Sequence, residues 1–283
     1  MKRSNLLSSG AAFTMSSSNS TYVATSGEAY HRFLGRWTGD LAAALADFAA
    51  PQLDGPLLDA GCGSGSLARV LAARASDRDV TGIDIAEPYV AHARSLGGGP
   101  RLTYATASAT ALPFANDTFA AAYAQLVVNF IPKPLLAVRE MIRVTKPGGV
   151  IAAAIWDFRG GLVYQRIFWD TAAGVEAGAG AARDRHFSTP LAKLDPLVAL
   201  WQEAGLADIE VASLPSRMNY ASFADYWEPL TGGQGPVGAY IDALAPEMLK
   251  RIRDAVHRAY LSGDEDGPRS MTATAWAVSG IKA

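Results

Sequence analysis

Apolar residues along this chain switch repeatedly between two spacings, and the first clear switch falls within residues 57–75. Leu57 and Leu58 begin a short apolar run, and the turn from Asp59 to Gly65 carries Gly61, Gly63 and Gly65 at alternate positions. From Ser66 the spacing is helical, with Leu67, Val70 and Leu71 at i, i+3 and i+4. The pattern predicts buried strand, tight loop, helix. Glycine lets the backbone turn sharply and a ligand approach it, and the helix start offers unpaired N–H groups with a partial positive charge. The next apolar run, VTGIDI, ends at Asp84. Open α/β sheets bind ligands beyond the carboxyl ends of their strands, which puts Asp84 beside the glycine loop, where a carboxylate can accept from a ribose diol.

The alternation continues. Glu87 and Pro88 open a helix that the GGGP break at 97–100 ends, and RLTYATA reads as a third strand. FAAAYA reads as a fourth strand with Gln125 at its carboxyl end. Leu135, Val138 and Ile142 predict a helix over 134–145, stopped by Lys146-Pro147-Gly148-Gly149. VIAAAIW is nearly all apolar, as a central parallel strand should be, and it delivers Trp156 and Asp157 to the ligand side.

A G-x-G-x-G loop also resembles the turn of dinucleotide-binding folds. Taken with TASATALPFANDTFAAAYA (106–124) and QLVVNFIPKPLLAVREMIRVTKPGGVIAAAIWDF (125–158), however, the chain resembles the class I S-adenosylmethionine-dependent methyltransferases over residues 28–158. The resemblance implies an α/β fold: a Rossmann-like, doubly wound, mostly parallel seven-stranded sheet with an antiparallel last strand, plus helical cap or lid insertions. It implies S-adenosyl-L-methionine as cofactor and methyl transfer to a small, hydrophobic or amphipathic acceptor. The implied cofactor set is Gly61, Gly63, Asp84, Ser108, Ala109 and Gln125, with Tyr30, Arg36 and Trp37 closing over the methionine end. Ser108 stands where most relatives carry an acid that accepts from the adenine amine, so that contact lacks charge assistance. Leu112 and Phe114 would add an apolar wall.

Beyond Phe158 the resemblance thins. Residues 1–24 are serine-rich and aperiodic, which predicts a disordered tail, with Met15 a possible alternative start. Residues 25–50 read as N-terminal cap helices and 57–158 as the cofactor-binding core; 159–204 and 214–262 read as helical insertions on the substrate side. Within them LAKLDPLVALWQEA predicts an amphipathic helix, ADIEVASL a half-exposed strand, and the aromatic-rich NYASFADYWEPLTGGQGPVGAY a lid or a packed connection. The closing MTATAWAVSG alternates as a strand, which family topology pairs antiparallel with the fifth.

Composition narrows the partners. A net charge of −2 over 283 residues gives no reason to expect nucleic acid, and no apolar run approaches the roughly 20 residues of a membrane span. The single cysteine, Cys62, suits a reducing compartment, hence a cytoplasmic location, and reads as filler in the glycine loop. The four histidines (31, 92, 186, 257) are scattered without ligand spacing, so no metal site is expected. His186, in RDRHFSTP, reads as a surface loop residue rather than a base, and no catalytic residue emerges. The oligomeric state is not encoded in any pattern found. Two other functions fit parts of the chain: a nicotinamide-dependent oxidoreductase, through the glycine loop and Asp84, and a non-catalytic cofactor-binding protein, through Ser108.

Overall fold

A computed structural model describes residues 35–231 and 235–283. The serine-rich tail and Tyr30 lie outside these residues. The order of elements is α1 (Arg36–Phe48), β1 (Leu57–Ala60), α2 (Ser66–Arg74), β2 (Val80–Asp84), α3 (Glu87–Ser95), β3 (Leu102–Thr106), β4 (Phe119–Gln125), α4 (Pro134–Val144) and β5 (Thr145–Trp156). There follow α5 (Val163–Val175), α6 (Ala177–Phe187), α7 (Leu194–Ala204), β6 (Ala207–Tyr220), α8 (Phe223–Trp227), α9 (Gly235–Asp242), α10 (Pro246–Leu261) and β7 (Arg269–Ile281).

The seven strands form one sheet in the order β3-β2-β1-β4-β5-β7-β6. The first five are parallel, and β7 runs antiparallel to both β5 and β6, so the predicted fold class is the one observed. Strands β1, β2 and β4 are buried almost throughout, because helices cover both faces of this part of the sheet. β6 is longer than its sequence suggested and runs to Tyr220, so the segment between β6 and β7 that holds α8–α10 begins at residue 221 rather than 214. It tolerates Pro215 because it lies at the sheet edge, where a missing N–H breaks no ladder.

Two insertions meet over the carboxyl ends of the strands. α5 and α6 come from the first and α8–α10 from the second, and α5 packs on α10 while α6 packs on α9. Their interior is aromatic: Phe168, Trp169, Phe223, Tyr226, Trp227, Tyr240 and Tyr260 are linked by ring contacts of 5.1–6.3 Å. Large rings bury the area that fixes these short helices in place. Among the described residues no helix is long and apolar enough to cross a membrane.

Candidate functional site

The glycine loop is built by β1, β2 and the start of α2. The amides of Gly61 and Cys62 both donate to the Ile83 carbonyl, at 2.7 and 2.8 Å, which bends the chain back over the end of β2. Gly61 has φ +81°, and a Cβ there would lie 2.5 Å from the Val127 side chain, so this turn admits only glycine. Gly63, at φ +52°, is different: nothing lies within 4 Å of where its Cβ would be, so its backbone borders open space. Asp84 fixes that backbone. One carboxylate oxygen accepts from the Gly63 N–H at 2.9 Å and the other from the Ala86 N–H at 2.9 Å. Burial holds the Asp84 pKa above the ordinary carboxyl value, and the Ala86 and Gly63 N–H donors offset only part of that rise. Each oxygen keeps a lone pair, which is what a vicinal diol needs.

Asp59, at the end of β1, is fully buried, and neither carboxylate oxygen has a hydrogen-bond partner of ordinary geometry. Burial pushes its pKa up to about 7; the Ala68 amide at the start of α2 draws it down and the Asp84 carboxylate adds to the rise. Cys62 is buried beside them, with its thiol pKa pushed well above the ordinary value by burial, so it is no nucleophile.

Gln125 closes the opposite side. Its amide donates to the Thr38 carbonyl in α1 at 3.1 Å, leaving the buried Gln125 Oε1 without a partner. Thr38 and Ser66 share a hydroxyl–hydroxyl bond of 2.8 Å, and Tyr123 donates to the Ala49 carbonyl at 2.7 Å. These contacts hold α1 across the glycine loop. Immediately after Gln125, Leu126 has φ +59°, a conformation that L residues rarely adopt, which turns the chain to bring Val127 over Gly61.

Ser108 and Ala109 are half-buried and follow β3, and the adjacent Ala107 N–H donates to the Asp84 carbonyl at 2.9 Å. The Ser108 hydroxyl bonds the Thr110 hydroxyl at 2.9 Å and accepts from the Thr110 N–H. Leu112 and Phe114 are both buried, Phe114 packing edge-on against Phe119. Arg143 braces the loop by donating to the Leu112 and Phe114 carbonyls, and Glu140 accepts from the Leu112 N–H. Ser108→Asp should restore a charged acceptor and leave S-adenosylhomocysteine binding equal or tighter, read by calorimetry; severely weaker binding by the folded variant would mean this loop does not meet adenine.

Arg36 and Trp37 are placed differently from the rest. Arg36 pairs with Asp225 at 2.8 Å, and its guanidinium lies 4.0 Å from the Trp37 ring and 5.3 Å from the Tyr220 ring. Trp37 is 5% exposed and packs on Tyr220 with ring centroids 5.0 Å apart. Both residues therefore tie α1 to β6 and α8. For the one-third-exposed Arg36, an Arg36→Ala, Asp225→Ala double-mutant cycle should show a coupling of up to about 1 kcal/mol in denaturant unfolding, with near-native cofactor affinity. Additive stabilities with lost affinity would return Arg36 to the cofactor.

His186 departs from expectation. It lies on α6, is 7% exposed, and stacks on Phe158 at 4.5 Å. Its Nε2 meets the Gln165 carboxamide oxygen at 2.7 Å, and Gln165 donates to the Tyr164 hydroxyl at 2.9 Å. Burial lowers its pKa to about 4, so the ring is neutral at pH 7. The charged neighbours in RDRHF disguise this, since the rings that bury His186 come from Phe158 and Trp169. Among the described residues no cluster of His, Cys, Asp or Glu can hold a metal ion.

Residues 58–153, which contain the loop, Asp84, Ser108 and Gln125, match the family model for a methyltransferase domain. Residues 58–153 of this chain carry a methyltransferase domain. The chain is 38% identical over 95 residues to a malonyl-[acyl-carrier protein] O-methyltransferase of Erwinia pyrifoliae, covering 34% of this chain and 35% of the relative. It is 33% identical over 116 residues to a 2-methyl-6-phytyl-1,4-hydroquinone methyltransferase of Synechocystis, covering 40% of this chain and 36% of the relative. The chain thus spans about a third of the length of these curated relatives. Beyond the domain the fold likeness is wider. A Haemonchus contortus phosphoethanolamine N-methyltransferase 2, solved in complex with S-adenosyl-L-methionine, superposes with TM-score 0.54 at 16% identity, over 90% of this chain and 56% of that one.

Proposed function

We propose that this protein transfers a methyl group from S-adenosyl-L-methionine to a small, hydrophobic or amphipathic acceptor. The observation that carries the reading is Asp84, whose two carboxylate oxygens hold the glycine loop through Gly63 and Ala86 while keeping capacity for a diol. Other parts of the site fit the same ligand. The space beside Gly63 is open, and the buried Ser64 hydroxyl and Gln125 Oε1 have no partner within the protein. Buried polar atoms are otherwise nearly always paired.

When bound, S-adenosylmethionine supplies a methyl group already activated on a sulfonium. The residues of this chain then have to position and exclude water, which can contribute about 7–11 kcal/mol without any catalytic triad. Asp84 and Gly63 would orient the ribose, Ser108 and Ala109 would meet the adenine, and Gln125 would face the methionine half. α1 and the helical insertions would cover the acceptor. Support for the acceptor's character comes from the aromatic interior of those insertions. The methyltransferase-domain match favours this reading over hydride transfer from a nicotinamide, for which the glycine loop alone would speak.

The test is calorimetry with S-adenosylhomocysteine and NADH, followed by a labelled-methyl screen over phenols, quinols, carboxylic acids and amines. Binding of S-adenosylhomocysteine without NADH binding, and label in one acceptor class, is the expected result. NADH binding alone would overturn the reading, and cofactor binding without turnover on any acceptor would favour a non-catalytic role.

A further inference from the structure

One group of buried polar atoms lies outside the cofactor set. Trp156, the last residue of β5, is 3% exposed, and its indole N–H has no hydrogen-bond partner. Asn129, in the short 3-10 turn Val128–Phe130 that follows β4, has neither its carbonyl oxygen nor its amide nitrogen paired. Both residues stand at the carboxyl ends of adjacent strands.

The register places them relative to the cofactor side. Gln125 pairs with Ala154 across β4 and β5, and side chains alternate along a strand, so Trp156 shares a face with Gln125, one strand further out. That is the face on which Gln125 reaches the Thr38 carbonyl of α1. Phe158, two residues on, leads to the helical insertions through its stack with His186. A polar group left buried and unpaired costs about 1–3 kcal/mol, and two such residues that follow adjacent strands point to a ligand that pairs them.

We propose that the Trp156 indole N–H and the Asn129 amide form the polar end of the methyl-acceptor site, taking an uncharged oxygen, a hydroxyl or carbonyl, carried on an apolar body. The inference rests on the methyl-transfer reading. An indole N–H only donates, so the group it meets must accept. A carboxylate is disfavoured: Arg36, the cation that α1 brings to this face, is committed to Asp225.

The test is the indole N–H spectrum of protein labelled with 15N-tryptophan, in which the six tryptophans give separate signals and Trp156→Phe identifies one of them. With S-adenosylhomocysteine bound, 4-hydroxyacetophenone should move the Trp156 signal downfield, while benzyltrimethylammonium, which has no acceptor atom, should not. Trp156→Phe should bind 4-hydroxyacetophenone about tenfold more weakly, with S-adenosylhomocysteine affinity and melting midpoint near native. If that variant does not fold, Phe variants of the other five tryptophans assign the signal by elimination and the native spectrum decides. An unmoved Trp156 signal at millimolar 4-hydroxyacetophenone, or a variant that loses stability while binding the probe normally, overturns the proposal. Failure to bind S-adenosylhomocysteine at all would instead fell the methyl-transfer reading beneath it.

Discussion

Asp59→Asn should make the ligand-free protein more stable at pH 8, by on the order of 4 kcal/mol, and the gain should shrink towards pH 4. The reason is the distance between the ordinary carboxyl pKa of 3.8 and the value of about 7 that burial imposes on Asp59 in the fold. Below the ordinary value both folded and unfolded chains hold the proton and the group costs nothing. As pH rises from about 4 to about 7 the unfolded chain ionises first, so stability falls throughout that interval; above it the loss is complete. Asparagine keeps the shape and removes the titration. Denaturant unfolding of both proteins at pH 4 and pH 8 reads the effect. An equal gain at both pH values, or a loss at pH 8, would show that Asp59 is not held against its charge. A protein that retains so unfavourable a carboxylate beside its glycine loop has a use for it, and the methyl donor carries positive charge. The same variant should therefore bind S-adenosylmethionine more weakly while being more stable, a trade common at functional sites.

The local grammar of the core was legible because each switch of period is marked by residues with one physical role. Glycine at 61 is required by Val127, and the apolar runs of β1 and β5 reflect burial on two faces. Strand order was not legible from period at all; it came through resemblance, since pairing such as β7 between β5 and β6 depends on contacts remote in sequence. The same limit explains Arg36. Its partner Asp225 lies 189 residues away, so nothing near Arg36 in the sequence announced the ion pair. His186 was misplaced because α6 is rich in alanine and glycine and shows little apolar periodicity of its own. Nothing in sequence distinguishes a paired buried polar group from an unpaired one, which is why Asp59 and Trp156 stand out only in three dimensions.

Asp84→Ala should weaken S-adenosylhomocysteine binding ten- to a hundredfold, because hydrogen bonds to a charged group contribute about 1.5–3 kcal/mol. The structure adds a second effect. The Asp84 carboxylate also holds the Gly63 amide, so the variant should free the loop before any ligand arrives. Hydrogen exchange at Gly63 reads this directly, and it should quicken in Asp84→Ala without cofactor present. Asp84→Asn should not rescue either property. Both carboxylate oxygens accept from backbone N–H groups, of Gly63 and of Ala86, and an asparagine would aim its own NH2 at one of them. Loop order and ligand affinity should thus fall together in both variants. Unchanged Gly63 exchange with unchanged affinity in a folded Asp84→Ala protein would show that the end of β2 neither shapes the loop nor meets the ribose.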